Sequence, residues 1–104
     1  MIGFRVDANE KVATGHLMRC IAIATACIKK GKQCMFLLAE EKETQRLKSR
    51  GIPYQILGTK WDDMESEKDR LMYIFEKQEF EYMVVDSYQV TISYLKWLNS
   101  RVPV

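Results

Sequence analysis

The sequence has 104 residues, of which 47% are hydrophobic and 29% are charged. This composition is typical of one globular domain or part of one, and it excludes a disordered tail and a collagen-like chain. The 16 Lys and Arg exceed the 14 Asp and Glu, which gives a formal net charge of +2. The basic residues are scattered rather than gathered into one stripe, so nothing indicates a nucleic-acid partner.

The cysteines and the N-terminal residues bear on the compartment. Cys20, Cys27 and Cys34 are an odd number without a C-x-x-C pair, which argues against a disulfide framework and a zinc site. The first ten residues carry three charges, and the longest unbroken apolar stretch covers only residues 34–39. We therefore expect neither a signal peptide nor a membrane span, and a location in a reducing cytoplasm.

Short apolar runs rich in β-forming residues alternate with longer stretches at helical spacing. This alternation is typical of βαβ units and predicts an α/β fold with a Rossmann-like parallel sheet and helices on both faces. In chain order we predict a strand at 1–6, a helix at 15–30, a strand at 33–39, a helix at 40–50, a strand at 54–57, a helix at 62–78, a strand at 82–85, a helix at 91–99 and the start of a fifth strand at 101–104.

Several residues support these boundaries. Gly31 follows two lysines and is typical of a helix end, and Pro53 places the third strand at an edge of the sheet. The apolar residues that we expect to face the core are Leu17, Ile21, Ala24 and Ile28 in the first helix, Met64, Leu71, Ile74 and Phe75 in the third, and Ile92, Leu95 and Leu98 in the last. Because the pattern stops inside a strand, we predict that residues 1–104 are an incomplete domain.

Polar residues follow the first and the fourth predicted strands. In an open parallel sheet the ligand lies beyond the carboxyl ends of the strands where the strand order reverses, here between these two strands in a 3-2-1-4-5 order. The first cluster is Arg5, Asp7, Asn9, Thr14, Gly15, His16 and Arg19, and the second is Asp86, Ser87 and Tyr88.

The turn into the first helix is the most informative segment. A helix N-terminus attracts anions, and Gly15 allows a ligand close to the backbone. The positive end of the helix dipole favours the neutral form of His16, the only histidine, which could then accept a proton from water. Arg19 follows by three positions and could meet an anion or a carboxylate such as Asp7.

Structural alternatives remain for each candidate. His16 could simply bind a carbonyl at the helix start, Asp7 could cap a loop or pair with Arg19, and Asp86 with Ser87 could cap the last helix. Tyr88 could be a core aromatic. The sequence has no complete G-x-G-x-x-G, no Walker loop and no H-E-x-x-H, so we expect neither a cofactor nor a metal.

Three segments, at 4–7, 15–20 and 84–88, carry a family resemblance through their R-x-D, G-H-x-x-R-C and V-V-D-S-Y motifs. The chain resembles, over essentially its whole length, the nucleotide-sugar hydrolases of the pseudaminic-acid pathway and the related spore-coat polysaccharide biosynthesis proteins. The resemblance implies the N-terminal Rossmann-like domain of a two-domain GT-B fold, akin to the glycosyltransferase that makes lipid II, without the C-terminal nucleotide-binding domain.

The resemblance also implies a reaction. It is hydrolysis of a UDP-linked diacetamido-trideoxy sugar without a metal, with His16 as the general base and inversion at the anomeric carbon. The substrate-binding residues would be Arg5, Asp7, Gly15, Arg19, Asp86, Ser87 and Tyr88. One departure is Ala13, where the family has a glycine. Because the UDP-binding half is missing, we predict little or no activity for this piece alone.

Two other functions stay open. A GT-B glycosyltransferase could use a similar site to pass the sugar to an acceptor. A non-catalytic α/β module could bind a ligand or a partner, and its unpaired sheet edge could support self-association.

Overall fold

The computed structural model describes residues 1–7, 15–60, 62–87 and 89–104, and these fold into an α/β arrangement. The elements are β1 (Ile2–Val6), α1 (Gly15–Lys29), β2 (Cys34–Leu38), α2 (Gln45–Lys48), β3 (Tyr54–Ile56), a 3-10 helix (Met64–Glu67), α3 (Lys68–Lys77), β4 (Tyr82–Asp86) and α4 (Ile92–Asn99). The alternation of strands and helices predicted from the sequence is confirmed.

The four strands form one parallel sheet in the order β3-β2-β1-β4. β1 therefore lies between β2 and β4, with Phe4 opposite Phe36 on one side and Val84 on the other. The predicted reversal of strand order between the first and fourth strands is confirmed, as is the edge position of β3. The residue before β3, Pro53, still accepts a hydrogen bond from the N–H of Phe36 at 2.9 Å.

One face of the sheet packs against α1 and α2. Side chains alternate along a strand, so every second residue of β1 and β2 points to this face. Leu47 of α2 packs in the core on this side. The other buried residues of this core include Phe4, Val6, Leu17, Cys20, Ile21, Ala24, Cys34, Phe36 and Leu38.

The opposite face packs against α3 and α4. Here the alternate strand residues Met35, Leu37 and Met83 meet the inward faces of the two helices. The helix residues of this second core include Leu71, Ile74, Tyr94 and Leu98. Helices thus lie on both faces of the sheet, an arrangement compatible with a Rossmann-like fold.

Two predicted helices differ from the structure. The segment 40–50 contains only one turn of helix, Gln45–Lys48, and Glu43 before it has a left-handed φ of 58°. Leu47 is the only apolar side chain of that segment able to anchor a helix on the core, and helix without packing is marginal. The segment 62–78 begins as the 3-10 helix and becomes α3 at Lys68.

The predicted fifth strand is wrong. The described residues form four strands, and residues 101–104 contribute a single backbone bond to β4, from the N–H of Met83 to the C=O of Pro103 at 2.8 Å. Pro103 has no N–H, so it cannot continue a ladder of hydrogen bonds.

Two predicted core residues face outward. Ile92 is 74% exposed, because α4 presents Tyr94 and Leu98 to the core instead. Ile28 is 43% exposed at the last turn of α1. No helix in the described part of the chain combines the length and the apolar composition that a membrane crossing requires.

Candidate functional site

The carboxyl ends of β1 and β4 carry most of the predicted site. Asp7 follows β1 and donates its N–H to the C=O of Asp86, the last residue of β4, at 3.4 Å. The first turn of α1 lies at the same edge, because His16 contacts the side chain of Asp86. Segments 70 positions apart in the sequence therefore meet at one place.

Strand alternation divides the polar residues at this edge into two clusters. Asp86 points to the face covered by α1, whereas Arg5, Asp7 and Ser87 have the opposite parity and point to the face covered by α3 and α4. We call the first group the outer cluster and the second the inner cluster. The outer cluster is His16, Arg19, Cys20 and Asp86, and the inner cluster is Arg5, Asp7, Glu67, Ser87 and Tyr94.

The outer cluster is built around the Asp86 carboxylate. The Nδ1 atom of His16 contacts Oδ1 of Asp86, and the exposed guanidinium of Arg19 donates to Oδ2 at 3.1 Å. Since an ionised carboxylate only accepts hydrogen bonds, His16 donates to it through Nδ1–H, and Nε2 is the proton acceptor of that tautomer. His16 itself is only 7% exposed, so most of the side chain is shielded from solvent.

Arg19 also lies close to the ring, with Nη2 3.0 Å from Nδ1 of His16. The expectation that Arg19 could meet a carboxylate holds, but the carboxylate is that of Asp86 and not the suggested Asp7, which pairs with Arg5. The reason is the strand parity, which places the two carboxylates on opposite faces of the sheet.

Cys20 completes the outer cluster without adding a nucleophile. Its thiol lies 3.9 Å from Oδ2 of Asp86 and is buried. Burial, and then the negative charge of Asp86, raise the pKa of Cys20 to about 12. The thiol is therefore protonated and unreactive at neutral pH.

The inner cluster is built around Arg5, which is fully buried. Its Nε and Nη2 donate to the two carboxylate oxygens of Glu67 at 2.8 and 2.9 Å, and Nη1 donates to Oδ1 of Asp7 at 3.0 Å. Burial alone would lower the pKa of Arg5, but the hydrogen bonds to Glu67 and the charges of Glu67 and Asp7 outweigh it, so the pKa is raised. Arg5 is thus engaged by protein groups, and the geometry lends no support to its direct contact with a substrate.

Asp7 is also enclosed, with 2% of its surface exposed. One of its oxygens accepts from Arg5, and the other accepts from the hydroxyl of Ser87 at 2.5 Å. Ser87 Oγ in turn accepts the N–H of Gln89 at 3.1 Å. The cap of α4 is Thr91, whose Oγ1 accepts the N–H of Tyr94, so Asp86 and Ser87 do not cap that helix.

Sequence reasoning missed Glu67 and Tyr94. Glu67 is fully buried and accepts the hydroxyl of Tyr94 at 2.5 Å in addition to the two bonds from Arg5. Burial, followed by the charge of Glu67, raises the pKa of Tyr94 well above its ordinary value. A signal existed, because Glu67 follows Met64 by three positions and precedes Leu71 by four, which puts a carboxylate on the apolar face of the helix.

The remaining predicted residues are Gly15 and Tyr88. Gly15 is exposed, and a Cβ added there would have no described atom within 4 Å, so a close approach to the start of α1 is sterically open in this part of the chain. Tyr88 lies outside the described residues, as do Asn9, Ala13 and Thr14.

Comparisons with protein-family models, with curated proteins and with solved structures found no match for this chain. Two shallow depressions lie at the other edge of the sheet, beside the amino ends of the strands, and neither is lined by a predicted site residue. Among residues 1–7, 15–60, 62–87 and 89–104, no group of three His, Cys, Asp or Glu side chains is arranged to hold a metal ion.

Proposed function

We propose that this chain is the N-terminal, acceptor-side part of a GT-B-like nucleotide-sugar hydrolase of the cytoplasm. The enzyme would release UDP and a free diacetamido-trideoxy sugar for surface or spore-coat polysaccharide biosynthesis. The family resemblance supplies the substrate and the two-domain architecture. The four-stranded parallel sheet is compatible with that architecture, and the polar edge between β1 and β4 is where such a sheet binds ligands.

The observation that carries the proposal is the contact between His16 and Asp86. A carboxylate that accepts Nδ1–H fixes the orientation and the tautomer of the ring, and it stabilises the imidazolium that forms when Nε2 takes a proton. This arrangement suits a general base acting on water. General-base catalysis of this kind contributes about 10²- to 10⁴-fold to a rate.

The proposed reaction is a single displacement. Nε2 of His16 takes a proton from water as the water oxygen bonds to the anomeric carbon, and the bond from that carbon to the phosphate oxygen of UDP breaks. The electron pair leaves with UDP, and the attack from the opposite side inverts the anomeric carbon. The start of α1 and the exposed guanidinium of Arg19 offer positive charge at this edge for an anionic substrate.

The test uses the full-length protein that contains these residues. We expect His16→Ala to lower the turnover of the UDP-sugar by about 10²- to 10⁴-fold, since the general base is lost. Asp86→Asn keeps the shape but removes the carboxylate that orients the ring, and we expect a loss of at least about 10-fold. Asp69→Asn, an exposed change on α3, is the matched control and should leave turnover unchanged.

Product analysis distinguishes the alternatives. Free sugar beside UDP supports the hydrolase, whereas a glycosylated acceptor would identify a GT-B glycosyltransferase in which the same base activates a hydroxyl. Unchanged turnover in His16→Ala would remove the general-base role, and no turnover by the unaltered protein would favour the non-catalytic binding module.

A further inference from the structure

A continuous chain of buried hydrogen bonds links α4 to the carboxyl edge of the sheet. It runs from the Tyr94 hydroxyl to Glu67 at 2.5 Å, from Arg5 to Glu67 at 2.8 and 2.9 Å, from Arg5 to Asp7 at 3.0 Å, and from Ser87 to Asp7 at 2.5 Å. Every link is made by side chains of the inner cluster. The chain crosses from one helix through the central strand to the residue that follows β4.

The two ends of this chain differ in exposure. Tyr94, Glu67 and Arg5 are completely buried, whereas Ser87 is partly exposed at the edge. A buried carboxylate that keeps its partners is geometrically fixed, because each lost bond would leave a charge without solvation. The buried end therefore imposes a defined position on the exposed end.

The position of Ser87 matters because it is bonded to Asp86. The two side chains point to opposite faces of the sheet, but they share one peptide unit, so a displacement of Ser87 also moves the carboxylate that contacts His16. The Gln89 N–H, held by Ser87 Oγ, ties the beginning of the next loop to the same anchor.

We propose that Glu67 and Tyr94 are positioning residues for the site: acting through Arg5, Asp7 and Ser87, they set the placement of Asp86 against His16. The inference deepens the proposed function and rests on it for its catalytic consequence. Its structural part stands without the reaction, because it concerns the contact between Asp86 and His16 alone.

The test compares Tyr94→Phe and Glu67→Gln with Leu98→Val. Each of the first two keeps the shape of its side chain and removes part of the hydrogen-bonded chain. Leu98 is equally buried and lies one turn beyond Tyr94 on α4, but it belongs to the apolar core, so Leu98→Val loosens packing only. Thermal unfolding establishes that all three variants are folded under the conditions of the experiment.

The first readout is the imidazole of His16, the only histidine of the 104 residues, whose ring signals are therefore unambiguous in carbon-proton NMR spectra of this chain. We expect a changed ring chemical shift in Tyr94→Phe and in Glu67→Gln, and an unchanged one in Leu98→Val. Ring signals that are the same in all three variants and the unaltered chain would overturn the proposal.

The second readout is turnover of the UDP-sugar by the full-length protein. We expect Tyr94→Phe to lower kcat by about 2- to 30-fold with little change in KM, as for residues that act on a site through others. A loss in Leu98→Val as large as in Tyr94→Phe would also overturn the proposal. Full turnover in His16→Ala would contradict the proposed hydrolase but would not affect the NMR result for Asp86 and His16. Failure of the proposed function and failure of the positioning proposal are therefore distinguishable.

Discussion

The inner and outer clusters occupy the same edge of the sheet, and each contains an arginine paired with a carboxylate, but the two arginines differ in exposure. The inner cluster places one guanidinium between two carboxylates, fully enclosed and bound on every side. The outer cluster pairs an imidazole with a carboxylate, and the side chain of its arginine is 63% exposed. The charged groups of the inner cluster are all buried, whereas the outer cluster has one exposed cation, Arg19, beside a buried imidazole. This contrast is consistent with a structural role for the inner cluster and with the substrate-facing role that we propose for the outer cluster.

The largest expected effect tests whether the inner cluster stabilises the fold. Arg5→Met leaves the carboxylates of Asp7 and Glu67 buried without their cation, so we expect a loss of about 3 to 5 kcal/mol in the free energy of unfolding. Arg19→Met is the matched control, because it removes an exposed ion pair that is worth about 0 to 1 kcal/mol. Urea unfolding measures the free energy of unfolding of both variants, and equal losses in the two would contradict the structural role of the inner cluster.

A pH series tests the environment of the outer cluster. The folded pKa of Cys20, about 12, lies above its ordinary value of 9.0, so the folded protein holds this proton more tightly than the unfolded chain. The resulting stability is complete below pH 9 and is lost as the pH rises toward 12, by up to about 1.4 kcal/mol per pH unit. We expect Cys20→Ala to remove this contribution to the fall of the free energy of unfolding between pH 9 and pH 12, as measured by urea unfolding at each pH.

Cys27→Ala is the control for that series, since Cys27 lies on the same helix and is only half-buried. If the free energy of unfolding falls with pH as steeply in Cys20→Ala as in the unaltered chain, the thiol is not enclosed beside Asp86.

The smallest expected effect compares Gly3, which lies in β1 with Arg5 of the inner cluster, with Gly15, which lies at the start of α1 beside His16 of the outer cluster. Gly3 has the parity of Arg5, and a Cβ there would collide with Met83 and crowd the ring of Phe80, so we expect Gly3→Ala to cost about 1 to 3 kcal/mol. Gly15 has open space among the described atoms, and alanine favours helix by up to about 1 kcal/mol, so Gly15→Ala should be neutral or slightly stabilising. Thermal unfolding of the two variants checks the pair, and a large loss in Gly15→Ala would contradict the open approach to α1.

The periodicity of the sequence was sufficient to predict the order of strands and helices. Apolar residues at helical and strand spacing identify elements that are anchored by a core. The prediction failed where anchoring is sparse, as in the segment 40–50 with its single buried leucine, Leu47. It also failed where apolar composition was not accompanied by hydrogen-bonding capacity, as in the segment around Pro103.

The candidate site was predictable in part. The rule for parallel sheets placed His16 and Asp86 at one edge, and the structure brings them into contact. The partners of the two carboxylates were not foreseen, although the alternation of side chains along β1 and β4 separates Asp7 from Arg19. The helical spacing marks Glu67 as a carboxylate on an apolar face, but its partners, Arg5 and Tyr94, lie 62 and 27 positions away in sequence, and no local pattern identifies them.

The central place of β1 also determines when the protein acquires its site. β1 precedes β4 in synthesis, and β4 pairs with it from a distance of roughly 80 residues, beginning with Ile2 opposite Tyr82. Contacts so far apart form late, because a long loop must close before they contribute any stability. A nascent chain can complete β1, α1, β2 and β3 earlier, but His16 meets Asp86 only when β4 pairs with β1, so the contact between these two side chains and the docking of β4 form in the same step.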